Sequence, residues 1–219
     1  MSNLLFISKI LEKVVLTQLK NNLSSNNLLE ICQSAYRKDR STETAVLSVL
    51  GGLLVSANER LVSLVALLDL SAAFDMLDHT ILLQQLKMIY NVRGTVLDWL
   101  ASYLSEHFQS VFVDGVESTS CPLVYGIPQG SVLGPVLFTL YLQSLSDVIY
   151  VHNCDYHKYA DDTELSKGAS PDQVDSVQSY IQTCIYDVLF WMNRKKLTLN
   201  TEKKERLCLL VPHLVSLDS

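Results

Sequence analysis

The chain is poor in residues that interrupt regular structure: 8 glycines and 5 prolines among 219 residues. With 48% hydrophobic residues, that excludes a disordered or low-complexity polypeptide and leaves enough apolar material for a core. Long hydrophobic runs are missing as well. The longest, LVSLVALLDL (61–70) and VLGPVLFTLYL (132–142), fall short of the roughly 20 residues that cross a bilayer. They read instead as a buried strand and a buried helix. Met1-Ser2-Asn3 has no basic n-region of a signal peptide, so an intracellular location, nucleus and/or cytoplasm, is expected. Paired cysteine spacings are absent too. Cys32, Cys121, Cys154, Cys184 and Cys208 form no CxxC, which argues against zinc and for free thiols in a reducing compartment. Finally, positive charge is scarce overall, the formal net charge being −6. Phosphate binding runs on Lys and Arg, and these are concentrated locally: six against two Glu in RKKLTLNTEKKER (194–206), three against one Asp in YRKDR (36–40).

What is present is strong periodicity. Leu4, Phe6, Ile7, Ile10, Leu11, Val14, Val15 and Leu19 repeat at helical spacing over 3–22. Ser41 is a plausible N-cap for a second helix, with Thr44 where a capping box would want Glu. LVSLVALLDL, nearly all apolar, predicts a strand buried on both faces and ending at Asp69. Asp78 caps a helix through Tyr90, and Gly94 begins another. Residues 108–125 alternate as a hairpin with Asp114-Gly115 at its turn. A helix is expected from Gly130 to about Leu145, with Pro135 in its first turns. CDYHKYA (154–160) and TELSK (163–167) are short strands flanking Asp161-Asp162, followed by an amphipathic helix over 172–193 and a last strand, RLCLLV (206–211).

With the hairpin set aside, the order from Leu61 onward is the split β-α-β-β-α-β, ferredoxin-like pattern of an α+β fold, its helices on one face of an antiparallel sheet and the other face open for a ligand. Such a pattern carries the end of the first strand, Asp69, to the turn between the central strands, Asp161-Asp162. Carboxylates gathered in this way repel one another. Divalent cations relieve that repulsion, and two Mg²⁺ ions about 4 Å apart can stabilise both oxygens of an in-line phosphoryl transfer.

The motifs resemble those of the reverse transcriptase domain of non-LTR (LINE-type) retrotransposons. LLDLSAAFDMLDH (67–79) is similar to that family's motif A, GIPQGSVLGPVLFTLYL (126–142) to motif B, KYADDTEL (158–165) to motif C and WMNRKKLTLNTEKKE (191–205) to motif D. LLFISKILEKVV and SAYRKDRSTETA resemble the fingers motifs ahead of motif A. The resemblance implies partial fingers over 1–60, a polymerase palm over 61–212 and a tail over 213–219, with no thumb. Asp69, Asp161 and Asp162 would then hold two Mg²⁺ (or Mn²⁺), Asp69 and one of the turn acids doing most of the ligation. Leu70 would lend backbone near the triphosphate, and Gln129-Gly130 would pack on the incoming nucleotide. Phe74, five residues after Asp69, would sit against the sugar 2′ position and favour dNTPs. Arg37 would reach template or triphosphate, and Tyr159 the primer end. Lys203 or Lys204 would be the motif D lysine that protonates the leaving pyrophosphate. The implied partners are an RNA template, a DNA primer and dNTP. Against the family pattern the chain lacks an upstream fingers strand, the primer grip and the thumb, so the isolated chain is expected to be weakly active or inactive. The alternative is a palm kept as a non-catalytic nucleic-acid- or protein-binding remnant.

Overall fold

The structure, a computed structural model, describes residues 6–71, 73–105, 107–128, 130–200 and the backbone of 206–210. Along the chain run α1 (Phe6–Ser25), α2 (Thr42–Asn58), β1 (Val62–Leu68), β2 (Leu70–Ser71), α3 (His79–Met88), α4 (Thr95–Leu104), β3 (Phe108–Gln109), β4 (Phe112–Val113), β5 (Val116–Glu117), β6 (Cys121–Pro122), α5 (Gly134–Tyr141), α6 (Leu145–Val151), β7 (Asp155–Tyr159), β8 (Asp162–Ala169), a 3₁₀ turn at Pro171–Gln173, α7 (Val174–Arg194), β9 (Thr198–Leu199) and β10 (Arg206–Leu210). They form two compact units that interleave in sequence. One comprises Met1–Leu29, Ala72–Leu142 and Lys195–Leu197; the other Glu30–Ser71, Gln143–Arg194 and Thr198–Ser219. Among the described residues, no helix is long and apolar enough to cross a membrane.

The second unit holds the expected sheet. Its order is β10-β1-β8-β7 and every neighbouring pair is antiparallel. Counted in chain order the strands lie 4-1-3-2, the split β-α-β-β-α-β arrangement. The pleat sorts the side chains into two sets. Leu64, Ala66, Leu68, Lys158, Thr163, Leu165 and Ala169 are all buried. Helix α7 packs on β1 and β8 through Ile181, Cys184, Ile185, Val188, Trp191 and Met192, an i, i+3, i+4, i+7 stripe of the amphipathic kind. Each large apolar side chain so buried contributes about 1.5–3 kcal/mol. The opposite set (Ser63, Leu67, Asp69, His157, Tyr159, Asp162, Glu164) borders cavities beside α2. That face is therefore not bare, as the sequence pattern led one to expect: α2 leans on β1 and β7 and leaves hollows rather than an open surface.

Helix α2 starts as anticipated at Ser41. Its capping box is closed by Thr44 rather than Glu: the Ser41 hydroxyl accepts from the Thr44 N–H (3.3 Å) and the Thr44 hydroxyl accepts from the Ser41 N–H (2.8 Å). In the first unit Asp78 caps α3, accepting from the Ile81 N–H at 2.9 Å. Asp114 and Gly115 both adopt positive φ (51° and 84°) between β4 and β5, the two-residue hairpin turn that Asp-Gly favours. The helix expected from Gly130 to Leu145 is two helices. Residues 131–133 form a bend and α5 begins only at Gly134, whose N–H is taken by the Ser131 hydroxyl (2.8 Å). Leu145 opens α6. Burial explains why periodicity could not separate them, since α5 is apolar on all sides: Val136, Leu137, Phe138, Leu140 and Tyr141 are buried. Its last carbonyls are met by side chains, Leu140 O by the Tyr90 hydroxyl (3.0 Å) and Tyr141 O by Gln85 Nε2 (3.4 Å), as buried helix ends require.

Candidate active site

The acids of the second unit are placed by strand register. Leu68 pairs with Thr163 across β1 and β8, so one step further Asp69 and Asp162 stand level at the ends of neighbouring strands. Tyr159 pairs with Asp162 across β7 and β8. By alternation all three lie on the α2 side of the sheet, and all three line a cavity of about 850 Å³ with Thr42, Ala45 and Glu164. Burial pushes the Glu164 carboxyl above its usual range. Ala160 and Asp161 make the two-residue connection between β7 and β8, with Ala160 at φ 55°. Asp161 is half-buried. Its charge, after burial itself, raises the pKa of the Tyr36 phenol, with Tyr159 adding to the effect.

Asp69 is held from motif D. The Asn200 Nδ2 donates to Asp69 Oδ2 (3.0 Å) and the Asn200 N–H donates to Asp69 O (2.9 Å), just past the Leu70–Leu199 pairing of β2 with β9. Leu70 is buried. Among the described residues, no group of three His, Cys, Asp or Glu side chains is gathered tightly enough to hold a metal ion. The donor set is nonetheless the kind that suits Mg²⁺: hard carboxylate oxygens, two of them on one cavity wall, for an ion that normally keeps waters and takes substrate phosphates as further ligands. Arg37 is half-buried, and burial followed by its neighbour Arg40 lowers its pKa. Arg40 is committed to the loop, donating to Ile31 O (2.6 Å) and Gln33 O (3.2 Å).

Beside the turn, the Gln33 side chain bonds to both polar groups of Ala160. Beneath it, Lys158 Nζ meets Glu30 Oε2 at 2.5 Å. Neither had a signal in sequence, because each pairs with a residue more than a hundred positions away. Gln129, Lys203 and Lys204 lie outside the described residues.

The first unit carries the motif B loop and Phe74. Gly126 N–H donates to Leu77 O (2.8 Å), Ile127 N–H to Phe74 O (3.0 Å) and His79 Nε2 to Gly126 O (2.6 Å). The loop is thus zipped to the second half of motif A. Gly126 has φ 81°, and a Cβ there would lie 2.9 Å from the Asp75 Cα and carbonyl oxygen, so only glycine permits the approach. The half-buried Phe74 ring stacks on Phe138, centroids 4.6 Å apart, and lines a hollow of about 330 Å³ with Asp75, Ile127, Pro128 and Gly130. Phe74 and Gly130 thus line one hollow. From α1, the Glu12 carboxylate, 1% exposed, fixes the far side of this loop. Its Oε2 accepts from the Val132 N–H (2.7 Å), the Leu133 N–H (3.1 Å) and the Ser131 hydroxyl (2.9 Å). Sequence reasoning missed Glu12, because the apolar positions that mark the helical period, Phe6, Ile7, Ile10, Leu11 and Val14, are exposed, while the buried residues of α1 are Glu12, Leu19 and Leu23.

Comparison with known proteins bears on this arrangement. Residues 1–212 match the family described as reverse transcriptase (RNA-dependent DNA polymerase). The RNA-directed DNA polymerase from mobile element jockey of Drosophila melanogaster is 27% identical over 203 residues, covering 90% of this chain and 22% of that protein. The probable RNA-directed DNA polymerase from transposon BS of the same fly is 26% identical over 209 residues, covering 92% of this chain and again 22% of the relative. The chain thus spans under a quarter of the length of these relatives. Among solved structures, telomerase from Candida tropicalis in complex with a fragment of telomeric RNA superposes with a TM-score of 0.65 at 12% identity, covering 93% of this chain and 34% of that one. At that identity the likeness shows the fold. The apo telomerase lacking its C-terminal domain gives 0.63 at 14%. Taken with the ordered motifs and the sheet that carries them, these matches establish that the chain belongs to the reverse transcriptase family, with relatives among the non-LTR retrotransposons.

Proposed function

We propose that this chain carries the nucleotidyl-transfer centre of a LINE-type RNA-directed DNA polymerase. The observation that carries the reading is the pleat: one register sets Asp69, Tyr159 and Asp162 on the same cavity wall, with Asp161 in the adjoining turn. Reverse transcriptases in general use divalent metal ions. The finer reading is two Mg²⁺, with Mn²⁺ as a substitute, held by Asp69, Asp161 and Asp162. When bound, such ions would neutralise charge on the triphosphate and on the reacting oxygens.

The residues divide the remaining work. In the reaction, the 3′-oxygen of a DNA primer loses its proton and bonds to the α-phosphorus of a dNTP, and the bond from that phosphorus to pyrophosphate breaks. Asn200 orients Asp69. Tyr159 meets the primer end, and Leu70 offers only backbone. Phe74, backed by Phe138, presents an apolar ring that gives a 2′-hydroxyl no hydrogen-bond partner. Gly130, with Gln129 before it, leaves a bare backbone for the nucleotide and template. Arg37 contacts template or triphosphate, and Lys203 or Lys204 returns a proton to pyrophosphate. The partners on this reading are an RNA template, a DNA primer and dNTP; residues 1–60 act as fingers and 61–212 as palm.

Primer extension on an RNA template with Mg²⁺, wild type against the combined Asp161→Ala and Asp162→Ala variant, decides the matter. Extension that disappears in the variant supports the reading. Template binding with a steep salt dependence but no extension would instead point to the non-catalytic module. Phe74→Val should admit ribonucleotides; unchanged discrimination would remove Phe74 from the sugar contact.

A further inference from the structure

We propose that Gln33 is a positioning residue for the Asp161-Asp162 turn, its buried amide gripping the Ala160 peptide so that the two carboxylates are presented in one place. The inference rests on reading those acids as metal ligands. Gln33 is 4% exposed. Its Oε1 accepts from the Ala160 N–H (3.1 Å) and from the Ala35 N–H (2.9 Å), while its Nε2 donates to Ala160 O (3.3 Å). One side chain thus satisfies both polar groups of the residue immediately before Asp161, and is itself fixed by a third bond.

The contact does not stand alone. The Lys158 N–H donates to Cys32 O (2.8 Å) and the Ser34 N–H donates to Lys158 O (3.0 Å), so Gln33 runs beside β7 as a step of parallel bridge. The Ser34 hydroxyl and His157 Nε2 are 3.0 Å apart, and Arg40 ties the same segment through Ile31 O and Gln33 O. The amide therefore arrives at the turn on a braced support.

The turn has a reason to need it. Ala160 sits at φ 55°, a left-handed conformation that side chains other than Gly, Asn and Asp seldom adopt. A two-residue turn of Ala-Asp lacks the Asn-Gly or Asp-Gly chemistry that would hold it locally. A side-chain amide offers a donor and an acceptor in one plane, matched to the N–H and C=O of a single residue. Losing it would leave the β7–β8 ladder intact up to the Tyr159–Asp162 pair but release Ala160 and Asp161, and with them the position of Asp161 relative to Asp162.

The experiment titrates Mn²⁺ into the full chain and follows the free ion by electron paramagnetic resonance, alongside thermal melts. Gln33→Met keeps length and apolar bulk but removes all three bonds. It should weaken Mn²⁺ binding about ten-fold or more, the range for groups that orient metal ligands. In the Asp161→Asn plus Asp162→Asn background, which should already bind weakly, Gln33→Met should lower the melting temperature without further effect on Mn²⁺. Gln33→Asn, which retains an amide one methylene short, should weaken binding in the same direction and protects the experiment against failure of the Met variant to fold. Wild-type affinity in both Gln33 variants, with the effect of the acids intact, overturns the role of Gln33 alone. Mn²⁺ binding indifferent to loss of Asp161 and Asp162 overturns the metal reading beneath it.

Discussion

Replacing Lys158 by Met should unseat the strand that leads into the Ala160-Asp161 turn, and the structure sets the size of the effect. Lys158 is 0% exposed. Its Nζ lies 2.5 Å from Glu30 Oε2 and donates to the Ser146 hydroxyl at 3.0 Å, while that hydroxyl donates to Glu30 Oε1. Burial pushes the Lys158 pKa down, and Glu30 pulls against it. In Lys158→Met the Glu30 carboxylate, whose side chain is 11% exposed, faces an uncharged thioether. Breaking one side of a buried pair in this way costs about 3–5 kcal/mol, a large share of the roughly 5–15 kcal/mol that holds a domain folded. With a urea slope of about 2 kcal/mol/M, the midpoint should fall by about 1.5–2.5 M. Trp191, whose indole N–H donates to Ser144 Oγ (3.2 Å), reports on the same unit by fluorescence. Removing both charges, Lys158→Met with Glu30→Leu, should return the midpoint to within ~0.5 M of wild type, since an apolar replacement of a buried pair is often neutral or better. A single variant that loses less than ~1 kcal/mol, or a double variant as weak as the single, would refute the reasoning, because the stranded charge is what carries the loss.

Three further outcomes are expected. Glu12→Ala strands two backbone N–H groups and a hydroxyl near the motif B loop and should lose about 2 kcal/mol or more, whereas Glu12→Gln keeps an acceptor and should stay within ~1 kcal/mol of wild type; urea melts showing the two variants equal would discard the anchoring role. Gly126→Ala must place a Cβ 2.9 Å from Asp75 backbone at φ 81° and should destabilise by about 2 kcal/mol or more, while Gly130→Ala, with nothing within 4 Å, meets only the left-handed backbone cost of about 1 kcal/mol; calorimetry ranks the pair. Burial tends to raise the Asp78 carboxyl pKa, but Lys196 (2.6 Å) and the capped N–H of Ile81 outweigh it and hold it below the usual value. The stability this supplies is present above about pH 4 and is lost as pH falls through the lowered folded value, so Asp78→Asn should flatten the acid limb of a stability–pH curve, and an unchanged limb would count against the pair.

Much of the architecture was legible in sequence because local chemistry and global fold agree there. Ser41, Asp78 and Asp114-Gly115 each announce an element boundary with the residues such boundaries need. The apolar run ending at Asp69 and the Asp-Asp between two short strands were enough to predict the antiparallel sheet. Helix α5 was misjudged for a physical reason: a segment buried on every side has no amphipathic period to mark its ends, and the Ser131 bend that delays it depends on Glu12, far away in sequence. The acids were recognisable, their supports were not. Gln33, Asn200 and Lys158 hold Ala160, Asp69 and Glu30, each more than a hundred positions away along the chain, and no spacing rule connects such partners.

Those supports share a chemical logic that strand alternation makes possible. A carboxylate can be oriented by a neutral amide without surrendering its charge, as Asn200 does for Asp69, and Gln33 holds the peptide before Asp161 by the same chemistry. A lysine in the same place would form an ion pair and neutralise the acid. One lysine stands only three residues before Asp161, yet the pleat turns it away. Lys158 pairs with Thr163 and is buried on the α7 side, whereas the next pair, Tyr159 with Asp162, faces the cavity. A slip of one residue in β7 would exchange the two sets, placing an ammonium among the acids and a tyrosine against Glu30. The buried Lys158–Glu30 pair resists that slip, because only the observed register lets both charges be met. The ion pair therefore fixes the register of the β7–β8 hairpin, and its position on the opposite face keeps the ammonium away from Asp162.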